Sequence, residues 1–334
     1  MFKRISRVLA VSALVTGSAL GVAQAAEQEI NFGIISTEAS QNLKAMWDPF
    51  LADMSQQTGY KINAFFAPDY AGIIQGMRFD KVDVAWYGNK SAMEAVDRAG
   101  GEIFAQTVAA DGSQGYYSLM VAHKDSPINS VEDMLKNAKS LTFANGDPNS
   151  TSGYLVPGYY VFAQNNADAS KIFKRSLNGS HEVNALSVAN KQVDVGTFNS
   201  EGMQRLEITA PDKAAQLKVI WTSPLIPSDP IVWRKNLDDA TKAKLREFFM
   251  TYGDQPAELK VLEGLQWAKF QASTDDQLLP IRQLELFKQR TEVANNDKLK
   301  AADKAARLKE LDAELAKLEK RMAEIAQQNA ANAG

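Results

Sequence analysis

Cysteine is absent from this chain, and only two histidines, His123 and His181, occur in its 334 residues. The first absence excludes disulfides, thiolate catalysis, Cys-ligated zinc and a lipid-modified N-terminal Cys. The second leaves no basis for a histidine-built metal centre. No G-x-x-x-x-G-K-[ST] loop, G-x-S-x-G elbow or H-E-x-x-H helix is present, so nucleotide, acyl-transfer and zinc-protease signatures are all missing. A Ser nucleophile served by His181 is the catalytic alternative left, and no spacing supports it. The reading is therefore of a protein that is not an enzyme and needs no cofactor. Charge of one sign is also missing: Lys and Arg number 37 against 40 Asp and Glu, a net of −3. That balance gives no electrostatic footprint for nucleic acid or anionic lipid.

Long hydrophobic runs are lacking as well. The longest, Val8 to Ala19, is interrupted by Ser12, Thr16, Gly17 and Ser18 and is too short to span a bilayer. With Lys3, Arg4 and Arg7 before it and Ala23-Gln24-Ala25 after it, it reads as a secretory signal peptide over residues 1–25. Its removal takes away three basic residues and no acid, so the formal charge moves from −3 to −6. The mature chain is expected in the bacterial periplasm, free and soluble.

What remains is 45% hydrophobic and long enough to bury one large core or two moderate ones. Asn31 to Ser36, Lys61 to Ala67 and Val82 to Tyr87 read as strands. They alternate with helices that start at Asp48-Pro49, Tyr70 and Ser91, which points to a parallel α/β sheet. Val82-Asp83-Val84 recurs as Val193-Asp194-Val195, 111 residues later. Helices beginning near Tyr70 and near His181 precede the two copies by the same distance. The chain thus reads as two similar α/β lobes. Extended crossings at Tyr116 to Ala122 and at Leu217 to Trp233 mean that the first lobe is interrupted and then resumed, a topology that suits a hinge. The expected division is residues 26–115 with 228–285 for lobe one and 116–227 for lobe two. Residues 286–334 form a long amphipathic helix. Its stripe, Leu308, Leu311, Leu315, Leu318, Met322 and Ile325, serves either packing on its own lobe or pairing with a second copy.

The chemistry concentrates in Gly146-Asp147-Pro148-Asn149-Ser150-Thr151-Ser152-Gly153, between a strand and a helical stretch. The first turn of a helix has unpartnered N–H groups and partial positive charge. Three hydroxyls added there make a nest for a tetrahedral oxyanion with no Lys or Arg. The plainer alternative is that Ser150 or Ser152 only caps its helix. Strand ends in open α/β sheets converge on ligands. This brings Tyr70, Trp86, Tyr87, Glu201 and Asp229 toward the same place. Glu201 and Asp229 accept hydrogen bonds and suit an ammonium, or else steady a helix start and a turn before Pro230. Tyr70 and Trp86 are either ligand contacts or core and rim residues.

Ala67 to Phe79, Ala85 to Asn89, Gly146 to Gly153 and Ser223 to Lys235 resemble the periplasmic phosphonate-binding proteins of phosphonate ABC importers. The resemblance covers nearly all of the chain after the leader. It implies a two-lobed periplasmic-binding-protein type II fold that closes over a phosphonate and hands it to a membrane permease. It implies that Tyr70, Tyr116, Ser150, Thr151, Ser152 and His181 hold the phosphonate oxygens. Glu201 and Asp229 would accept from the amine of 2-aminoethylphosphonate. The final helix is similar to one used for dimerisation in the family. Tyr117 stands where the family often has Trp, and Thr197-Phe198-Asn199 departs from the family's Asn-rich loop. The alternative ligand is another oxyanion, such as phosphite, phosphate or a phosphate ester.

Overall fold

The computed structural model describes residues 28–332, so the expected leader at 1–25 lies outside the described residues. The first lobe opens with β1 (Glu29–Ile34), α1 (Ser40–Thr58), β2 (Lys61–Phe66), α2 (Tyr70–Arg78), β3 (Val84–Trp86), α3 (Asn89–Arg98) and β4 (Gly101–Gln106). A crossing through β5 (Gly115–Tyr116) and β6 (Ser118–His123) leads to the second lobe. There follow α4 (Val131–Asn137), β7 (Thr142–Gly146), α5 (Ala169–Ile172), β8 (Arg175–Gly179) and α6 (His181–Ala189). β9 (Val195–Asn199), α7 (Ser200–Thr209), α8 (Pro211–Ala214) and β10 (Leu217–Thr222) complete it. The chain returns through β11 (Ile226–Pro227) and β12 (Pro230–Arg234) to α9 (Asp239–Thr251), α10 (Pro256–Gly264) and β13 (Gln271–Ala272). It ends with α11 (Leu279–Ala294) and α12 (Ala301–Asn332).

The sheets run β13-β4-β12-β3-β1-β2 and β10-β6-β9-β7-β8. In each, three neighbouring strands pair in parallel, but the expectation of a wholly parallel sheet is corrected. β12 is antiparallel to β3 and β6 is antiparallel to β9, because each crossing strand arrives from the opposite lobe. Beside the crossings, β5 and β11 pair with each other, Tyr116 opposite Ile226.

The duplication is literal. Phe32 pairs with Val84 in the first sheet as Phe143 pairs with Val195 in the second. Asp83 donates its N–H to Asn31 O at 2.9 Å and takes Asn31 N on its carboxylate at 2.7 Å. Asp194 does the same with Thr142, at 3.2 and 2.7 Å. Each of these pairs of equivalents is 111 residues apart. Even the left-handed turn residues match, Asp80 at φ 55° and Lys191 at φ 58°.

Two local expectations change. α1 begins at Ser40 rather than at Asp48-Pro49, with Pro49 inside it. Leu43 and Trp47 share a buried face with Phe50, Leu51 and Met54, so burial holds one continuous helix despite the backbone bond lost at Pro49. Asp48 pairs with Lys44 at 2.7 Å instead of capping. The C-terminal segment is a hairpin, not one helix. It breaks at 295–300, where Asn296 Oδ1 accepts from Lys298 N. α12 then packs back on α11, tied by Arg290 to Asp312 at 2.6 Å, with Leu311 and Leu315 buried.

The first lobe's core is aromatic: Trp47, Phe50, Phe249, Trp267 and Phe270 lie ring against ring. The second lobe buries Phe143 and Phe162 on one face of its sheet and Val188 and Phe198 on the other. Both sheets therefore present the carboxyl ends of their parallel strands to one cleft.

Candidate ligand-binding cleft

The segment after β7 turns at Ser150 and continues as two wide, π-wound turns, Thr151–Leu155 and Gly158–Phe162. Leu155 N reaches back five residues to Ser150 O at 3.1 Å. This winding accommodates Pro157, whose missing N–H falls between the two wide turns, and such turns recur at functional sites. Ser150 does cap the segment: its Oγ accepts from Gly153 N at 3.0 Å. Gly146 is required by closeness, since a Cβ there would lie 2.5 Å from the carbonyl oxygen of Gly153.

Ser150, Thr151 and Ser152 are all buried and line the cleft. Ser150 Oγ and Ser152 Oγ each lie 3.3 Å from His181 Nε2, and Asn199 Nδ2 donates to Ser152 Oγ at 3.4 Å. Thr151 Oγ1 accepts from Lys90 N of the other lobe at 2.8 Å, which leaves its own proton free to donate. Burial, and secondarily the Arg205 charge, hold the His181 pKa down at about 4. The imidazole is neutral at physiological pH. Tyr70, from the first lobe, lines the same cleft beside Ser150, its phenol pushed up by burial and so held protonated as a donor.

Carboxylates complete the lining. Asp229 and Glu201 both line the cleft. Burial raises the Asp229 pKa well above the usual range, and the Glu201 charge raises it further. Burial raises Glu201 too, with Arg205 opposing. Tyr116 OH donates to Asp229 Oδ1 at 3.0 Å, so this hydroxyl serves the carboxylate end. Trp86 lines the cleft, with its indole N–H on the Asp229 side. Two such carboxyl groups, one raised by the charge of the other, are relieved by an ammonium between them.

Of the residues singled out from sequence, Tyr87 alone is kept away. Its hydroxyl donates to Ile73 O at 3.1 Å inside the first lobe. Arg205 went unrecognised, and the expectation of a cleft without cations is corrected: Arg205 lines it and pairs with Glu38 across the two lobes. A lone Arg four residues after Glu201 reads in sequence as an ordinary i,i+4 helix pair. Thr37 and Glu182 were also missed, since β1's end and the start of α6 carry no motif. The enclosed free space is about 40 Å³, room for a small molecule only. Among the described residues no group of three or more His, Cys, Asp or Glu is placed to hold a metal ion.

Residues 32–278 match the model of the family described as ABC transporter, phosphonate, periplasmic substrate-binding protein. The phosphonates-binding periplasmic protein of Escherichia coli is 63% identical over 90% of this chain and 89% of its own. A phosphate-import protein of Mycolicibacterium smegmatis is 30% identical over 71% and 74%. The crystal structure of a binding protein component of an ABC phosphonate transporter from Pseudomonas aeruginosa is 76% identical and superposes with a TM-score of 0.89, covering 90% of this chain and 99% of that one. With the hydroxyl nest, the duplicated sheets and the matched length, these likenesses converge on one conclusion. The chain belongs to the family of periplasmic phosphonate-binding components of ABC transporters, built on the two-lobed type II periplasmic-binding-protein fold.

Proposed function

We propose that the cleft holds a phosphonate that carries an amine, with 2-aminoethylphosphonate the fitting member of the class, and delivers it to an ABC permease. One observation carries this reading: a nest of neutral donors and two carboxyl groups, Asp229 buried and Glu201 half-buried, share a single small cleft. The Ser150 to Ser152 turn, Tyr70 and His181 would donate to or order around the PO3 head. Glu201 and Asp229 would accept from the ammonium, with Tyr116 and Trp86 steadying Asp229. A phosphate, the alternative that the mycobacterial relative's name suggests, or a phosphite would leave both carboxyl groups facing an anion with no cation between them.

The lobes, residues 26–115 with 228–285 and 116–227, would close about the paired strands β5 and β11, after export by the 1–25 leader. Pairing of two copies along α12 would fall to Leu318, Met322 and Ile325, since Leu311 and Leu315 are already buried.

Calorimetry tests the assignment. Glu201→Gln and Asp229→Asn each should weaken 2-aminoethylphosphonate by about 2–3 kcal/mol, the scale of a charge-assisted bond to a buried group. Methylphosphonate, with no amine, should change little or bind better. Equal losses for both ligands would overturn the amine assignment.

A further inference from the structure

Three helices of the first lobe begin at the cleft, and each takes a hydrogen-bond acceptor from the second lobe. α1 has Ala39 at its N-cap, where no side chain caps it. Glu182 of α6 supplies the acceptor: Oε2 takes Ala39 N at 2.8 Å, and Oε1 takes Asn42 Nδ2 at 2.7 Å. Glu182 N donates back to Thr37 O at 3.2 Å. α3 starts after Gly88, again without a side-chain cap, and Thr151 Oγ1 takes Lys90 N. α2 has its own cap in Asp69, and Asp147 Oδ2 adds an acceptor for Tyr70 N at 3.2 Å.

The α1 arrangement is half a capping box made in trans. In the ordinary box, an acid at the third helical position reaches back to the N-cap amide. Here that position is Asn42, which is uncharged. The carboxylate comes from the opposite lobe, and Asn42 holds it. The repeat adds a second observation. Ala39 and Ser150 are equivalent N-cap positions, 111 residues apart, each after the opening parallel strand of its lobe. One helix start faces free space in the cleft. The other is filled by the Glu182 carboxylate.

We infer that Glu182 is the built-in anion of the duplicated helix start and sets ligand affinity by holding the lobes shut, without contacting the ligand. The inference rests on the reading that this cleft closes over a ligand. When the lobes part, the Ala39 amide, the Asn42 amide group and the Lys90 N–H lose these acceptors together. A receptor competent only when shut binds in proportion to the fraction shut. Loss of Glu182 therefore weakens every ligand by one common factor.

The test compares Glu182→Ala and Asn42→Glu, singly and combined, with wild type. Asn42→Glu gives α1 its own box and sets a like charge against Glu182 while leaving residue 182 native. Each single variant should weaken 2-aminoethylphosphonate and methylphosphonate alike, by about tenfold, the scale of one lost charged cap. The double variant should be no weaker than Glu182→Ala, because a cap made within one lobe serves open and shut states equally. Ligand-free melting temperatures should stay level, or rise with Asn42→Glu. Unchanged affinity in both single variants would overturn the inference. So would a loss confined to one ligand, which would make Glu182 a ligand contact. A wild type that bound neither phosphonate would instead overturn the ligand reading; the same proteins titrated with phosphate then give the same comparison.

Discussion

His181 stands with Nε2 3.3 Å from two serine hydroxyls, buried, its pKa held down at about 4 by burial and by Arg205. In the unfolded chain a histidine titrates near ~6.5. Between those values the unfolded chain binds a proton that the folded one refuses, so stability falls as pH falls. This contribution is fully present above pH ~6.5 and is lost toward pH ~4, to a total of about 3 kcal/mol. Asp229 and Glu201, raised by burial, work in the opposite sense, because the folded carboxyls keep protons that the unfolded ones release. The comparison must therefore be made against a variant. Urea unfolding at pH 7 and pH 4.5 should show a smaller acid loss in His181→Gln than in wild type. At this scale the sequence was legible where chemistry repeats along the chain. Ser150, Thr151 and Ser152 are consecutive, and Tyr70 and His181 open equivalent helices. Arg205 and Glu38 were not legible, because their pairing exists only once two distant segments face each other.

The wide turns after β7 depend on one close approach. Gly146 and Gly153 pass so near that no side chain fits at 146. Gly146→Ala should destabilise the fold by about 1–3 kcal/mol, as overpacking does, and should cost ligand affinity beyond that by displacing the hydroxyls. Chemical denaturation with parallel titrations checks both, and a variant that binds like wild type would show that the turn adapts. Helix and strand positions were largely legible from period and caps: the helices expected from Tyr70 and near His181 begin at those residues. The start of α1 was not, because Pro49 is a strong local signal and tertiary burial of Trp47 outweighs it. The π winding has no sequence signature, since nothing in Tyr154 to Phe162 marks a five-residue ladder. The break near Asn295 does carry a local signal, Asn295-Asn296-Asp297, which the Ala, Glu and Lys-rich runs on either side outweigh in a reading by composition.

At the scale of the whole molecule, β1 to β3 and β7 to β9 are two copies of one unit, joined by two crossings. The match of Asp83 with Asp194 makes a direct comparison possible. Asp194→Asn removes a charge that accepts from Thr142 N and Thr142 Oγ1, both at 2.7 Å. Asp83→Asn does the same at Asn31 N and also strips the partner from Arg234 Nε, at 2.7 Å. Unfolding should cost about 1–3 kcal/mol for Asp194→Asn and more for Asp83→Asn, with the double variant additive within about 0.5 kcal/mol. Strong non-additivity would mean that the lobes unfold through a shared element. Three residues in sequence, Val-Asp-Val, pointed to this duplication, and in both lobes the aspartate makes two hydrogen bonds to the neighbouring strand, through its own N–H and its carboxylate. The mixed strand directions stayed hidden, since a crossing strand reads the same forwards or backwards.

The Glu182 carboxylate at the start of α1 bears finally on stoichiometry. A receptor assembled from matching halves has two equivalent seats for negative charge and could load two guests. In the shut state one seat is taken by a carboxylate from the opposite lobe, which leaves the seat at Ser150 as the one open to a guest.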